Sequence, residues 1–170
     1  AAGKLTVATE ISKLLDYKLL DNHSVINAVT RIFPFSDIEH SALRRKISRK
    51  FRVELFEAAA ENNISVVTTL GASGQDYFDF FEETQVVVKK HNGNVYFVQL
   101  LPSQEALYER VVQDSRKQLQ KLSTKDDLKE RITKESEMFK KYPNVDHLTL
   151  DNTHLSPAET AKAIKIHYNL

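Results

Sequence analysis

Gly3 and Lys4 stand where a loop enters a predicted helix, and together they form a candidate phosphate-binding pair. Apolar residues recur from Leu5 to Leu15 at the spacing of one buried helical face. The phosphate-binding loop reads G-x-x-x-x-G-K-[ST] between a strand and a helix, and the two residues fit its sixth and seventh positions. Glycine lets the backbone approach a phosphate, the helix N-terminus offers unpaired N–H groups, and lysine adds a mobile positive charge.

The residue after this pair departs from the pattern. The eighth position normally carries a Ser or Thr whose hydroxyl coordinates Mg²⁺, but here it is Leu5, and a hydroxyl follows only at Thr6. Conventional ligation of Mg²⁺ is therefore in question. The first glycine of the pattern and its strand would lie before Ala1, so the motif predicts an upstream strand. An ordinary glycine and lysine at a helix start is the alternative interpretation.

Short apolar strands alternate with helices along the rest of the chain. The predicted strands cover residues 17–20, 64–70, 95–100 and 147–150, and the predicted helices cover 25–33, 38–62, 76–91, 104–122, 126–141 and a final segment from Ser156. This alternation predicts a single three-layer α/β/α domain over residues 1–170. Its parallel sheet would have about five strands, the first of them upstream of Ala1.

Polar residues follow each predicted strand. In such sheets ligands bind at the carboxyl ends of the strands. Lys4 and the residues 21–23, 69–73, 101–103 and 151–153 would all meet at that edge. The sequence therefore predicts one ligand site there.

Composition restricts the function classes. Lys and Arg number 24 against 23 Asp and Glu, so the net charge of +1 gives no overall field for nucleic acid or an anionic membrane. The absence of cysteine excludes disulfides, thiolate metal sites and a cysteine nucleophile. No signal-peptide pattern and no apolar run of about 20 residues is present. We expect a cytoplasmic domain that does not enter a membrane.

Several segments together resemble a known family. They are the run GKLTVATEISKLLDYKLLDNHSV, the pair Leu43-Arg44 on a helix, and the segments VVTT, VYFVQL, ERVVQDSR and LTLDNTHLSPAETAKAI. Together they resemble bacterial P-loop kinase-like proteins, which are related to shikimate, gluconate and nucleoside-monophosphate kinases. The resemblance covers nearly the whole chain. It implies a P-loop NTPase fold that binds ATP with Mg²⁺ and phosphorylates a small hydroxylated acceptor, which it does not identify.

The same resemblance assigns roles in nucleotide binding. Lys4 would contact the β- and γ-phosphates, Gly3 and Leu5 belong to the loop that cradles them, and Thr6 would contact the α-phosphate. Alternatively, Thr6 is an early helix residue that faces solvent. Asn152 lies in the loop that passes the adenine in related kinases, although a turn and helix cap would also explain it.

Asp21 and His23 follow the second strand of the predicted sheet. The resemblance implies that Asp21 holds Mg²⁺ or accepts the proton of the acceptor hydroxyl, and the alternative is a loop aspartate that caps the next helix. His23 stands where shikimate kinases often carry a second Asp, which argues against shikimate as the acceptor. Its imidazole could bind or deprotonate an acceptor hydroxyl, but a structural or exposed histidine is the alternative.

A basic helix from Leu43 to Phe56 carries the candidate acceptor residue. Its predicted apolar face is formed by Leu43, Ile47, Phe51 and Leu55, and its predicted solvated face by Arg45, Arg49 and Arg52. Arg44 lies within the apolar arc, and an arginine directed toward the protein needs an anionic partner. The position resembles the substrate-binding arginine of shikimate kinase-like proteins, so Arg44 is the predicted acceptor-site residue.

Residues 110–141 resemble the lid of small-molecule kinases. Arg110 and Arg116 would cover ATP, with Arg116 stabilising the charge that develops during transfer. A solvated helical hairpin is the alternative. The predicted catalytic set is therefore Lys4, Asp21 and Arg116, and Asp21 is the predicted metal ligand.

Two other functions stay open. A nucleotide-binding protein without phosphotransferase activity, in a regulatory or interaction role, is favoured by Leu5 at the hydroxyl position. A polynucleotide 5′-hydroxyl kinase or nucleic-acid binder would use the basic helix, but the near-neutral net charge and the scarcity of aromatic residues among its cations make this less favoured. The oligomeric state does not follow from the sequence.

Overall fold

The computed structural model describes residues 1–71, 76–112, 124–134 and 146–170. The helices are α1 (Lys4–Leu15), α2 (Asn22–Thr30), α3 (Ser41–Glu61), α4 (Asp76–Lys90), α5 (Gln104–Val111), α6 (Lys125–Lys134) and α7 (Pro157–Tyr168). The strands are β1 (Lys18–Leu20), β2 (Val66–Thr68), β3 (Phe97–Leu100) and β4 (His147–Leu150). The predicted α/β alternation is therefore confirmed. Helix α5 ends at Val111, well before the predicted residue 122, and the segments 113–122 and 135–141 of the two predicted helices lie outside the described residues.

The strands form two parallel pairs and not the single sheet that the sequence predicts. In the first pair Leu19 of β1 lies beside Val67 of β2, and in the second Val98 of β3 lies beside Leu148 of β4. In the described part of the chain, β2 and β3 are not hydrogen-bonded to each other. A cleft of about 690 Å³ is instead lined by residues of both strands. The predicted sheet of about five strands, the first of them upstream of Ala1, is therefore not confirmed by the described residues.

Helices cover the strands on two sides. On one side Val53 and Phe56 of α3 join Phe80 and Phe81 of α4 in a buried cluster, against which Val66 and Phe97 pack. On the other side buried residues of α1 and α7 form a second cluster, against which the strand residues Val67, Val98 and Leu148 pack. Adjacent strand residues such as Val66 and Val67 thus face opposite layers, as the two-residue period of a strand requires.

The helix starts follow local chemistry. Ser156 caps α7 by accepting a hydrogen bond from the N–H of Glu159, whose carboxylate accepts one from the N–H of Ser156, and Pro157 occupies the first helical position. The predicted start of this helix is confirmed. No described helix combines the length and apolar character that crossing a membrane requires.

The predicted orientation of α3 is wrong. Its buried residues are Ser48, Arg52, Val53 and Phe56. Leu43 and Phe51, which were expected to face the core, are 41% and 42% exposed. The side of α3 that packs against α4 is centred on Val53 and Phe56, and Arg52 at its margin is buried against the start of α2.

Candidate functional site

Gly3 gives α1 a start that has no side-chain cap within the described residues. Its backbone lies in the left-handed region, with φ of 83° and ψ of 14°, which glycine adopts without the strain that a Cβ atom brings. A Cβ atom there would meet only Thr6 and Asn152, at ordinary contact distances of 3.5 and 3.6 Å. The backbone conformation, and not space, therefore favours glycine at this position.

The first turn of α1 places the predicted phosphate-binding residues at the surface. Lys4 and Thr6 are exposed, and Leu5 is half-buried. The Thr6 hydroxyl donates to the Gly3 carbonyl at 2.8 Å, which leaves its oxygen as an acceptor. Lys4 also lines the cleft between the two strand pairs.

Asn152 is held in the loop after β4 and contacts the residues that lead into α1. Its side-chain N–H donates to the Ala2 carbonyl at 3.0 Å, and the residue is 3% exposed. Its Oδ1 is buried without a hydrogen-bond partner among the described residues. In this arrangement Asn152 fixes the backbone before Gly3. Its predicted proximity to adenine stays a prediction.

Arg110 also contacts the loop after β4. Its guanidinium donates to the carbonyls of Asn152 and Thr153 at 2.8 and 2.9 Å. The Thr153 hydroxyl in turn accepts from the N–H of Ser103, after β3. Hydrogen bonds from the Thr153 hydroxyl and N–H hold the pKa of the neighbouring Asp151 carboxyl below its ordinary value. These contacts bring together the segments that follow β3 and β4, as the edge prediction expects.

Asp21 caps α2. One carboxylate oxygen accepts from the N–H of His23 at 2.7 Å and the other from the Ser24 hydroxyl at 2.7 Å. Burial raises the pKa of Asp21, but the hydrogen bonds from Ser24 and His23 outweigh it and hold the pKa below its ordinary value. The capping role that was the alternative interpretation is therefore present, and a role toward metal or acceptor stays a prediction.

The end of β1 is tied to the end of β2. The Thr68 hydroxyl donates to the Leu20 carbonyl at 2.7 Å, and the Thr69 hydroxyl accepts from the N–H of Asn22 at 3.1 Å. His23, half-buried, follows directly. Thr69 and His23 are thus brought to one edge, as predicted. Residue 73, also assigned to this edge, lies outside the described residues.

Arg44 is hydrogen-bonded to the loop between α2 and α3. Its guanidinium donates to the carbonyls of Phe33, Pro34 and Asp37 at 3.4, 2.8 and 3.2 Å, and it lies 5.0 Å from the centre of the Phe35 ring. Carbonyl oxygens of the chain itself therefore supply its polar partners. Its role toward an acceptor anion stays a prediction.

Arg116 lies outside the described residues, as does much of the predicted lid. The described part of that region joins Leu107 and Val111 of α5 to Leu128 of α6 in a buried cluster, with Ala1 and Ala2 packed against it. Ala1 and Ala2, which lead into Gly3, are therefore packed against α5 and α6.

The described residues offer few protein ligands for Mg²⁺. The described part of the chain holds no group of three or more His, Cys, Asp or Glu side chains placed to bind a metal ion. Mg²⁺ in nucleotide sites is commonly held by phosphate oxygens, waters and one or two protein ligands. The Asp21 carboxylate is a ligand of this type, whereas Leu5 has no ligand atom.

The sequence did not predict the contact between Asn22 and Arg52, because it assigned Arg52 to the solvated face of α3. Arg52 donates to the side-chain oxygen of Asn22 at 2.7 Å from a position that is 5% exposed. The signal that could have identified it is the spacing of Ser48, Arg52 and Phe56, which share one face of α3 at four-residue intervals.

Asp21→Ala is expected to lower the free energy of unfolding by about 1 kcal/mol at pH 7, because α2 loses its N-cap. Asp21→Asn, which keeps an acceptor, should cost less. Since the folded pKa is lowered, the stabilisation is present above the unfolded pKa of about 4 and is lost as the pH falls through the folded value. Urea unfolding at pH 7 and at low pH measures this, and a pH-independent difference between wild type and Asp21→Ala would contradict it.

Three solved structures share this fold. A sugar kinase from a Janibacter species superposes with a TM-score of 0.65 at 16% identity, covering 99% of this chain and 88% of the other. A provisionally named kinase from Chloroflexus aurantiacus gives 0.67 at 15%, covering 99% and 91%. Shikimate kinase from Aquifex aeolicus gives 0.52 at 20%, covering 99% and 90%.

The sequence comparisons find less. No protein-family model matches the chain, and no curated protein matches it significantly. At these identities the structural likeness shows an α/β fold that this chain shares with the three kinases.

Proposed function

We propose that the protein is an ATP-dependent kinase that transfers the γ-phosphoryl group to a small hydroxylated molecule. The observation that carries the proposal is the start of α1, where a left-handed Gly3 and an exposed Lys4 precede a helix that no described side chain caps. The N–H groups of its first turn, the positive end of the helix dipole and the lysine charge suit phosphate oxygens. The fold shared with three kinases supports a kinase over other phosphate-binding proteins.

Each residue of the proposed site has a separate task. Lys4 and the first turn of α1 bind the phosphates, and Thr6 offers its hydroxyl oxygen to the metal or an α-phosphate. Mg²⁺, when bound with ATP, neutralises charge on the β- and γ-phosphates. Asp21 is proposed as its protein ligand or as the base for the acceptor hydroxyl, and His23 and Arg44 are proposed to contact the acceptor. Arg116 is proposed to stabilise the transferring group.

The cleft between β2 and β3 supports a fifth strand in the same sheet. Its walls include Val66, Val67, Phe97 and Val98, residues of the kind that cover a central strand on both faces. Both pairs are parallel, so a strand placed between them in the same direction would end at their carboxyl edge. Ala1 lines the cleft as well. We therefore propose the order β1-β2-X-β3-β4, in which strand X leads into Ala1 and completes the phosphate loop.

Calorimetric titration of the nucleotide tests the proposed function directly. Mg-ATP and Mg-ADP are expected to bind saturably, with ATP binding more weakly when EDTA removes the metal. Release of ADP in the presence of candidate acceptors such as sugar acids, nucleosides and nucleotides then identifies the acceptor class. A folded protein that binds neither nucleotide would refute the kinase proposal.

A second candidate function has one observation in its favour. Leu5 places a half-buried apolar side chain where the phosphate loop normally has a metal-binding hydroxyl. A protein that binds nucleotide without transferring phosphate, in a regulatory role, would fit this departure. Saturable binding of Mg-ATP without ADP release to any acceptor would favour it. Nucleic acid stays the less favoured partner, and binding of DNA or RNA with a steep salt dependence would reverse that order.

A further inference from the structure

Arg52 is a buried cation in the middle of α3. It is 5% exposed, and its guanidinium donates to the Ser48 carbonyl at 3.1 Å and to the side-chain and main-chain oxygens of Asn22 at 2.7 and 3.3 Å. Its Nε has no hydrogen-bond partner within the described residues, and no described carboxylate pairs with it. Burial lowers the pKa of the guanidinium, which means that the surroundings oppose its charge.

Stability does not account for this arrangement. A buried charge without a carboxylate partner costs desolvation energy that neutral hydrogen bonds offset only in part. An unbranched apolar side chain at position 52 would avoid the desolvation of a charge, and what it would lose is the donor to the Asn22 side chain. We therefore look for the role of Arg52 in its contact with Asn22.

Asn22 lies between two candidate site residues. Arg52 fixes its carbonyl and its side chain, and the Thr69 hydroxyl accepts from its N–H at 3.1 Å. Asp21 precedes it and caps α2, and His23 follows it and donates its N–H to that cap. The peptide units that carry these two side chains cannot rotate without breaking a contact to Arg52 or Thr69.

We propose that Arg52 is a positioning residue for phosphoryl transfer, which holds Asn22 and thereby sets the orientation of Asp21 and His23 at the carboxyl edge of the sheet. The proposal rests on the proposed function, because Asp21 and His23 face the reacting groups only if the site binds ATP and an acceptor. Arg52 itself acts through Asn22 and does not contact substrate.

Amide hydrogen exchange of the nucleotide-free protein tests the positioning alone. Arg52→Met is expected to speed the exchange of the Asn22 and His23 amides about tenfold, because their hydrogen bonds open more often. Arg52→Lys, which keeps one donor for the Asn22 side chain, should recover part of the protection. Lys46→Met, an exposed position on the same helix, is the matched control and should change neither amide.

The Asn22 side of the contact gives an independent check. Asn22→Ala should speed the same amides to a similar extent, and the double variant with Arg52→Met should exchange no faster than either single one. Residues that act through one shared contact are non-additive in this way. An additive double variant would contradict the proposed coupling.

Turnover measures whether the positioning matters for chemistry. With ATP alone, where water takes the place of the acceptor, Arg52→Met is expected to lower kcat about tenfold or more, since small misplacements of catalytic groups have large effects. Its Kd for Mg-ATP should stay within about threefold of wild type, because Lys4 and the first turn of α1 are not altered.

The outcomes separate this proposal from the kinase proposal. Wild-type protein that binds no Mg-ATP refutes the kinase proposal, and the catalytic part of this one falls with it. Binding of Mg-ATP together with Arg52→Met amides that exchange like those of Lys46→Met overturns the positioning role. Faster exchange with unchanged kcat would reduce Arg52 to a structural tie between α3 and α2, and would likewise overturn the proposal.

Discussion

Replacing Lys4 with methionine is expected to weaken the binding of Mg-ATP by about 100-fold while leaving the fold intact. The ammonium group of Lys4 is the proposed contact to the β- and γ-phosphates. A hydrogen bond to a charged group contributes about 1.5–3 kcal/mol, and a 100-fold change in Kd corresponds to about 2.7 kcal/mol, so the loss of one such contact accounts for the expected effect. Methionine and lysine have similar helix propensities, and Lys4 is exposed. Calorimetric titration of Mg-ATP into wild type and variant measures the effect.

Lys13→Met is the matched control for this experiment. Lys13 lies near the end of the same helix, is exposed, and pairs with Glu10 at 2.8 Å. Its removal takes away the same charge at a distance from the proposed phosphates, so the Kd for Mg-ATP should change less than about threefold. Equal weakening by both variants would attribute the effect to overall charge, and wild-type affinity in Lys4→Met would refute the phosphate loop.

The parts of the site that could be predicted from the sequence are those that depend on near neighbours in the chain. Gly3 and Lys4 at a helix start, Asp21 as a cap, and Ser156 at the start of α7 each follow from residue types within four positions of one another. The strand at His147–Leu150 is likewise predicted, because its four residues are consecutive in the chain. Features that depend on such near neighbours can be predicted without knowing the tertiary structure.

The orientation of α3 could not be predicted in this way. The helix carries one stripe through Leu43 and Phe51 and another through Val53 and Phe56, and only contact with α4 decides which is buried. Which face of α3 is buried also determines whether Arg52 is buried or exposed. A guanidinium that is assigned to solvent on a helical wheel is buried in the structure because Ser48 and Asn22 offer it acceptors.

Arg44 shows a related difference. The sequence predicts that an arginine in the apolar arc needs an anionic partner, and the structure supplies three main-chain carbonyls from residues 33–37 in its place. Carbonyl oxygens can satisfy the donors of a guanidinium, but a sequence does not reveal which loop will reach them. The number of parallel strands in one sheet likewise depends on segments that must come together in space.

An apolar strand joined ahead of Ala1 is expected to raise the stability of the protein. A suitable extension has six β-branched residues followed by Gly-Ser-Ser, which reproduces the spacing from a strand to Gly3 in the phosphate-binding loop. Burial of an apolar side chain contributes about 1.5–3 kcal/mol, and ordering a residue costs about 1–2 kcal/mol for the backbone and somewhat more for the side chain. Hydrogen bonds to the edges of β2 and β3 that face the cleft add to the stabilisation from burial. We therefore expect a net gain of about 3 kcal/mol, or roughly 6–12 °C in Tm for a chain of this size.

The control extension has the same length, with proline at the second and fourth strand positions. Proline cannot donate to a sheet ladder and is excluded from central strands, so this variant should unfold like the chain that starts at Ala1. Amide exchange localises the effect, because the apolar extension should protect amides of β2 and β3 that point away from β1 and β4, such as those of Val66 and Val98, and the proline extension should not. Equal Tm values for the two extensions, with no new protection in β2 and β3, would show that the cleft does not accept a strand, and the order β1-β2-X-β3-β4 would be wrong. A gain confined to the apolar extension would join the two strand pairs into one five-stranded parallel sheet, with the phosphate loop at the carboxyl end of its central strand.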